Sequence, residues 1–409
     1  MKIWLKYFIG IIIGSLAGVL LPFESETSQK ILSFFFQFVI QFGRYMVVPV
    51  VFFSMTISVC KLREQRKLWS SVWKIGVFIL GATLSLTIMG LVLGLIIKLP
   101  RIPISVEQTA SAVTLNIPEL LLKLFPTSAL SVFNDGAFLL PLYILAGFLG
   151  AGCATDRSIS KVMMNLFDSL SKVCYTVMCF FVDFFSVGFI ALACMWVRNY
   201  TAALQTPSFF WLLLLLFIFL FVFVVGIVPL ILKFVFREDH PYKIIYASLA
   251  SLFASFFSGD TNLTLLINIR HGKESLGIKR IFNSVVYPIF STFSRGGSSF
   301  VCIISFILIL RSYSSLAISF ADIVWIGLIS FCLSFFLGGL PGTGPFVTLT
   351  VMCSLYGKGF ETAYLLLNSV VPFLCCVAAA IDALVAMIGS YLLAKKMHMR
   401  EGKETRHFI

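Results

Sequence analysis

Charge is what this chain has little of. Only 12% of its 409 residues are Asp, Glu, Lys or Arg, against roughly 25% in a soluble domain. With 59% apolar residues and a mean hydropathy of +1.00, this excludes an ordinary cytosolic enzyme and a disordered chain. Histidine is scarce too. His240, His271, His398 and His407 fall in polar connections or the tail and read as solvated. The ten cysteines lie within or beside apolar runs, with no CxxC pair and no Cys/His cluster. Neither a metal site nor a disulfide framework is indicated, and no cofactor is expected. No Ser/His or Ser/Lys constellation and no histidine within a span speaks for an enzyme. The net charge of +13 does not imply nucleic acid, because the basic residues sit between apolar runs and read as topology determinants.

What is there is apolar length. A membrane-spanning helix needs about 20 apolar residues, and such runs recur along the chain. The first covers 3–21. It has no small-residue cleavage site and reads as an anchor. Gly10, Gly14 and Gly18 repeat every four residues along it, a stripe that permits close helix packing. Further runs are 31–59, 72–98, 136–153, 173–197 and 209–236. A polar, proline-containing stretch occupies about 99–135.

After residue 243 the pattern changes. A short run, 244–257, stops at Ser258-Gly259-Asp260-Thr261-Asn262. Run 281–310 is interrupted by Ser294-Arg295-Gly296-Gly297-Ser298. Run 318–337 meets Gly338-Gly339-Leu340-Pro341-Gly342-Thr343-Gly344-Pro345, and the short run 346–356 follows. Residues 362–394 close the series. Half-length runs joined at polar or glycine-rich tips cannot cross lipid alone, since their backbone groups need protein or water. Paired broken segments of this kind point to a transporter's binding site. The spacing predicts two re-entrant hairpins. With both dipping in and out of one side, 22 Lys and Arg fall on the N-terminal side and 7 on the other, with Arg44 and Arg295 inside spans. That bias predicts eight crossings plus two hairpins, an integral multi-pass protein with both termini cytoplasmic.

The chain resembles the dicarboxylate/amino acid:cation symporters, which have the glutamate-transporter fold. Phe42-Gly43-Arg44-Tyr45-Met46-Val47-Val48-Pro49-Val50-Val51-Phe52 resembles the family's second helix. Pro126 to Gly150 resembles its fourth, Phe167 to Leu192 its fifth, and His240-Pro241 to Leu265 the end of its sixth with the first hairpin. Gly339-Leu340-Pro341-Gly342-Thr343-Gly344 matches the second hairpin's tip, and Ala363-Tyr364 to Ala394-Lys395 matches helix eight without a gap. The resemblance implies an all-α elevator-type secondary active transporter in the plasma (inner) membrane, usually a homotrimer, taking a small organic anion such as a dicarboxylate or amino acid as its small-molecule substrate within the lipid bilayer, with sodium coupling altered or lost. It divides the chain into scaffold helices 1–2 (1–71), helix 3 of a transport unit (72–98), a loop with scaffold helices 4–5 (99–208), the remaining transport unit (209–395) and a cytoplasmic tail (396–409). Substrate would sit between the hairpin tips, against Ser258, Gly259, Asp260, Thr261, Arg295, Gly342, Thr343, Gly344, Cys375, Ala378 and Asp382. The coupling-cation site, or its surrogate, would comprise Ser294, Arg295, Gly296, Ser298, Asp382 and Ala386.

The chain departs from that pattern at its centre. The family's three-serine tip reads Gly259-Asp260-Thr261, and its helix-seven sodium motif reads Ser294-Arg295-Gly296-Gly297-Ser298. The helix-eight aspartate for a substrate amino group falls at Cys375, the arginine for an acidic side chain at Ala378, the asparagine at Asp382 and the sodium aspartate at Ala386. A one-turn shift would put Asp382 on that last position instead. What remains is Asp260, Arg295 and Asp382. A charge at mid-membrane costs about 2.5–3.5 kcal/mol on insertion scales, and arginine cannot shed its proton. Arg295 therefore needs a partner or water. Three readings stay open: a fixed cation in place of sodium, paired with Asp382, Asp260 or both; a clamp for a substrate carboxylate; or a structural pair in a transport-inactive pseudo-transporter acting as a sensor or structural protein. The first makes transport independent of sodium, with a proton as the other possible coupling ion. Arg44, near the end of helix two, is expected to snorkel or pair. Asp183 reads as a structural polar contact, and Asp135 as a helix N-terminal charge.

Overall fold

The computed structural model describes residues 2–21, 26–102, 125–134, 138–204, 207–313, 318–337, 343–357 and 359–409, with Leu122 and Leu340. Among these the chain is helical, without β-strands. The helices are α1 (Ile3–Leu20), α2 (Glu26–Arg44), α3 (Val47–Glu64), α4 (Leu68–Ile96), α5 (Leu140–Cys153), α6 (Arg157–Ala203), α7 (Pro207–Val222), α8 (Val228–Phe234), α9 (Pro241–Ser258), α10 (Thr261–Glu274), α11 (Arg280–Phe293), α12 (Gly296–Tyr313), α13 (Phe320–Leu337), α14 (Gly344–Tyr356) and α15 (Val371–Lys396). Seven helical stretches among the described residues are long and apolar enough to cross a membrane. This is a polytopic helical protein.

Proline places several starts. Pro207 opens α7, Pro241 opens α9, and Pro345 and Pro372 lie at the second positions of α14 and α15. There the missing N–H has no helical partner to lose. The apolar run 31–59 is two helices, not one, because the chain turns at Tyr45–Met46 between α2 and α3. The break expected at 294–298 is narrower: only Ser294 and Arg295 leave the helix, and Gly296 already begins α12. The last run starts as a 3-10 turn, Ala363–Val370, before α15. Helix α6 extends well beyond the expected 173–197. The reading of His271 as solvated is corrected. It lies within α10 and is 2% exposed, because α10 is covered by α9, α11 and α15.

The glycine stripe of α1 does what its spacing suggests. A Cβ on Gly10 would stand 2.6 Å from the Ser186 carbonyl oxygen, and one on Gly14 would stand 2.3 Å from that of Ile190. Only glycine lets α1 lie on α6 this closely. Inside the molecule, α11, α12 and α15 form the centre. In the most apolar 18-residue windows of Arg280–Tyr313 and Ala363–Lys396, 94% and 89% of residues are buried, against 33% in the corresponding windows of α1 and α4. The peripheral helices leave apolar faces outward, as lipid contact allows.

Candidate functional site

The centre is assembled where the α11–α12 break meets α15. Helix α11 ends at Phe293, and Arg295 folds back over its last turn. Its guanidinium donates to the carbonyl oxygens of Ser291 and, at 3.4 Å, Thr292. Its Nη1 lies 3.8 Å from Oδ2 of Asp382, and both side chains are under 5% exposed. The Asp382 Oδ1 accepts the Gly297 N–H at 2.7 Å, and Oδ2 the Ser298 hydroxyl at 3.5 Å. Asp382 thus sits on the N-terminus of α12, where free N–H groups and the helix dipole favour an anion. Gly297 makes this possible: a Cβ there would stand 2.4 Å from the Ala378 carbonyl oxygen.

A second charged pair lies at the α9–α10 turn. Gly259 ends α9 at φ +62°, and Asp260 caps α10 by accepting the Asn262 N–H at 2.9 Å. The other oxygen of Asp260 accepts the Nε–H of Arg44 at 2.5 Å. Asp260 is 2% exposed and Arg44 27%.

The expected charges therefore form two pairs. Arg295 takes Asp382, and Asp260 takes Arg44. Arg44 was expected to pair without a named partner, and it was not placed in the site. The signal for it was that Arg44 and Arg295 are the two basic residues inside spans. Asp183 is a polar contact, as expected: it holds Lys6 at 3.1 Å and Arg270 at 3.0 Å.

Of the expected substrate residues, Gly259, Thr261, Arg295, Cys375, Ala378 and Asp382 line one small cavity, and Ser298 of the expected cation set joins them. Leu340, Pro345 and Ala379 complete the wall, and the space is about 10 Å³, room for about one water. Asp260 turns from the cavity toward Arg44, and the Ser258 hydroxyl bonds the Ala254 carbonyl at 2.6 Å. Gly344 opens α14, and Thr343 before it is exposed. Gly296 faces Leu86 and Thr83 of α4, while Ser294 and Ala386 are buried outside the cavity wall. Gly342 and Asp135 lie outside the described residues. Thr261 and Ser298 supply hydroxyls, Arg295 a cation and Asp382 an anion, with Cys375 and four apolar side chains around them. These groups can hydrogen-bond a polar ligand beside a neutralised charge pair, but the space between them admits about one water, so a larger solute enters only if the walls part.

No curated protein sequence matches the chain. A model of the sodium:dicarboxylate symporter family matches residues 3–396.

Proposed function

The chain belongs to the sodium:dicarboxylate symporter family, and from that premise we propose that it carries a small organic anion with Arg295 standing where a coupling cation would be. It is an integral multi-pass membrane transporter and not an enzyme. In this reading the carrier works by elevator motion. Helices α9–α10 and α13–α14 are re-entrant hairpins, eight segments cross the membrane, and both termini are cytoplasmic. The protein resides in the inner membrane as a homotrimer. The unit 209–395, with 72–98, moves against the helices of 1–71 and 99–208.

The observation that carries the cation reading is the Arg295–Asp382 pair at the α11–α12 break. The guanidinium holds the last carbonyls of α11 on one side and Asp382 on the other. A bound cation would do the same work: join oxygen donors across a broken helix and neutralise a carboxylate. A guanidinium does it permanently, because it stays protonated at any working pH. Cys375 and Ala378 supply no charge to fix a second ionic group of the solute. That speaks against an amino acid with an acidic side chain.

The test is uptake into proteoliposomes, with labelled organic acids and amino acids, in sodium and in choline. Equal uptake in the two salts is the expected result for the natural chain. Arg295→Ala should lose uptake in choline and recover part of it in sodium, since Asp382 would again need a mobile cation. Uptake that requires sodium in the natural chain overturns the fixed-cation reading. So does uptake by Arg295→Ala that is undiminished without sodium. No uptake of any solute in the panel counts for the transport-inactive reading.

A further inference from the structure

Away from the central site lies a larger cavity, about 260 Å³, where the end of α15 and the tail fold under the α9–α10 pair. Its wall includes His240 and Lys243 at the start of α9, Ser275 after α10, Tyr391 and Lys395 on α15, and Arg400 and Phe408 in the tail. Arg400 and Phe408 lie beyond the part of the chain that the family model covers. We propose that this cavity binds a phosphate-type oxyanion through Lys243 and Arg400.

The wall is built. The tail is fastened by Glu401 N–H to the Gly277 carbonyl at 2.8 Å and Lys279 N–H to the Met399 carbonyl at 2.9 Å. Arg400 donates Nε–H to the Leu276 carbonyl at 3.0 Å and lies 4.5 Å over the Tyr391 ring. Its side chain is thereby held in place while its terminal nitrogens retain donors. Lys243 lies over the Phe408 ring at 5.8 Å, and Phe408 stacks on Tyr246.

The charges facing the space decide the ligand. Glu238 is neutralised by Lys395 at 2.6 Å and accepts the Tyr391 hydroxyl at 3.3 Å. Asp239 and His240 are exposed at the rim. Lys243 and Arg400 thus remain opposite one carboxylate, and the wall carries one positive charge in excess. An ammonium point charge beside a planar guanidinium fork is suited to a multidentate oxyanion. The space is large enough for a phosphate group with part of its ester and far larger than a water site.

The cavity also lies beside apolar surface. Phe234 and Val235, at the end of α8 just before Glu238, are about 70% exposed, and Arg237 follows them. A basic pocket next to such residues fits the membrane–water boundary, where phospholipid headgroups lie. The same chemistry would also accept a soluble phosphate compound.

The two sources are separated by thermal unfolding of the full-length protein. One arm titrates inorganic phosphate in neutral detergent at constant ionic strength. The other compares nanodiscs of phosphatidylglycerol with nanodiscs of phosphatidylcholine. Stabilisation in at least one arm is expected, with apparent affinity at least about tenfold weaker in Lys243→Gln and in Arg400→Gln, as loss of a charge-assisted contact implies. Lys233→Gln, on the nearby exposed surface, should leave it unchanged. Stabilisation by phosphatidylglycerol alone assigns a lipid headgroup, and stabilisation by inorganic phosphate assigns a soluble phosphate. No stabilisation in either arm overturns the proposal, as does stabilisation that survives both substitutions or is lost equally in Lys233→Gln. None of these outcomes bears on the solute carried at the central site.

Discussion

Two breaks in helical structure each hold a buried or half-buried charge pair, and they are built in opposite ways. At the α11–α12 break, Arg295 and Asp382 face each other in the interior, each under 5% exposed. At the α9–α10 turn, Asp260 reaches outward to Arg44, which lies 216 residues earlier in the chain. The first pair neutralises itself among helices that pack tightly together. The second ties one turn to the junction of α2 and α3. In the elevator reading the first pair would travel intact, and the second would break whenever α9–α10 moves past α2. The difference predicts that the inner pair matters most for stability and the outer pair for the rate of movement.

The largest expected effect comes from splitting the inner pair. Asp382→Ala leaves the Arg295 guanidinium buried without its carboxylate. Removing one partner of a buried pair costs about 3–5 kcal/mol. Thermal unfolding in detergent should show a large loss, with Arg295→Met/Asp382→Leu more stable than Asp382→Ala. A double variant no more stable than the single one would show that the pair does not act as a unit.

Next come the two glycines, which separate the breaks by cause. Gly297→Ala is expected to cost about 1–3 kcal/mol, the usual penalty for overpacking, because its Cβ would stand 2.4 Å from the Ala378 carbonyl oxygen. It should also disturb Asp382, whose Oδ1 lies 3.0 Å from that Cβ position. Gly259→Ala meets nothing closer than 3.6 Å. Its cost is the left-handed backbone alone, about 1–2 kcal/mol. A smaller loss for Gly297→Ala than for Gly259→Ala, measured by thermal unfolding, would reverse the assignment of causes.

How far the site was legible follows from the same contrast. Asp260, Arg295 and Asp382 stood out because charges are rare within apolar runs, and the break after Phe293 was visible in its glycines and serines. Pairing of Arg295 with Asp382 was among the partners expected. The Arg44–Asp260 pair was not, because a contact across 216 residues leaves no local pattern in either segment. The width of the break was overestimated for a physical reason. Gly296 and Gly297 are weak helix formers by themselves, yet here they give the close approach of α12 to α4 and α15. His271 was misread because α10 has the composition of a polar connection, with Asn268, Arg270, Lys273 and Glu274, while its surroundings bury it. Of the fold, the long apolar helices were plain; the turn at Tyr45–Met46 was not, because Gly43 and Arg44 interrupt the run 31–59 too briefly to divide it by composition.

The smallest expected effect on stability comes from the outer pair, and its chemistry allows it to be isolated. Asp260 has two roles, capping α10 through one oxygen and holding Arg44 through the other. Asn caps a helix about as well as Asp, so Asp260→Asn removes the ion pair and keeps the cap. Arg44→Ala removes the same ion pair from the other side. Arg44 is 27% exposed but Asp260 only 2%, so the two substitutions differ. Asp260→Asn leaves a part-exposed guanidinium and should cost about 1 kcal/mol or less, whereas Arg44→Ala leaves a buried carboxylate without its cation and should cost more. Asp260→Asn should therefore unfold within a few degrees of the natural chain, Arg44→Ala should lose more, and the double variant should recover that extra loss because no buried charge is left unpaired. Asp260→Ala should lose more than Asp260→Asn, since it removes the cap as well, at about 0.5–2 kcal/mol. Transport is the discriminating readout. If the pair holds α9–α10 against α2–α3 in one conformation, Arg44→Ala and Asp260→Asn should change the uptake rate in the same direction, and the double variant should match them. Opposite changes in the two variants would mean that Arg44 or Asp260 acts on the solute itself and not on the other.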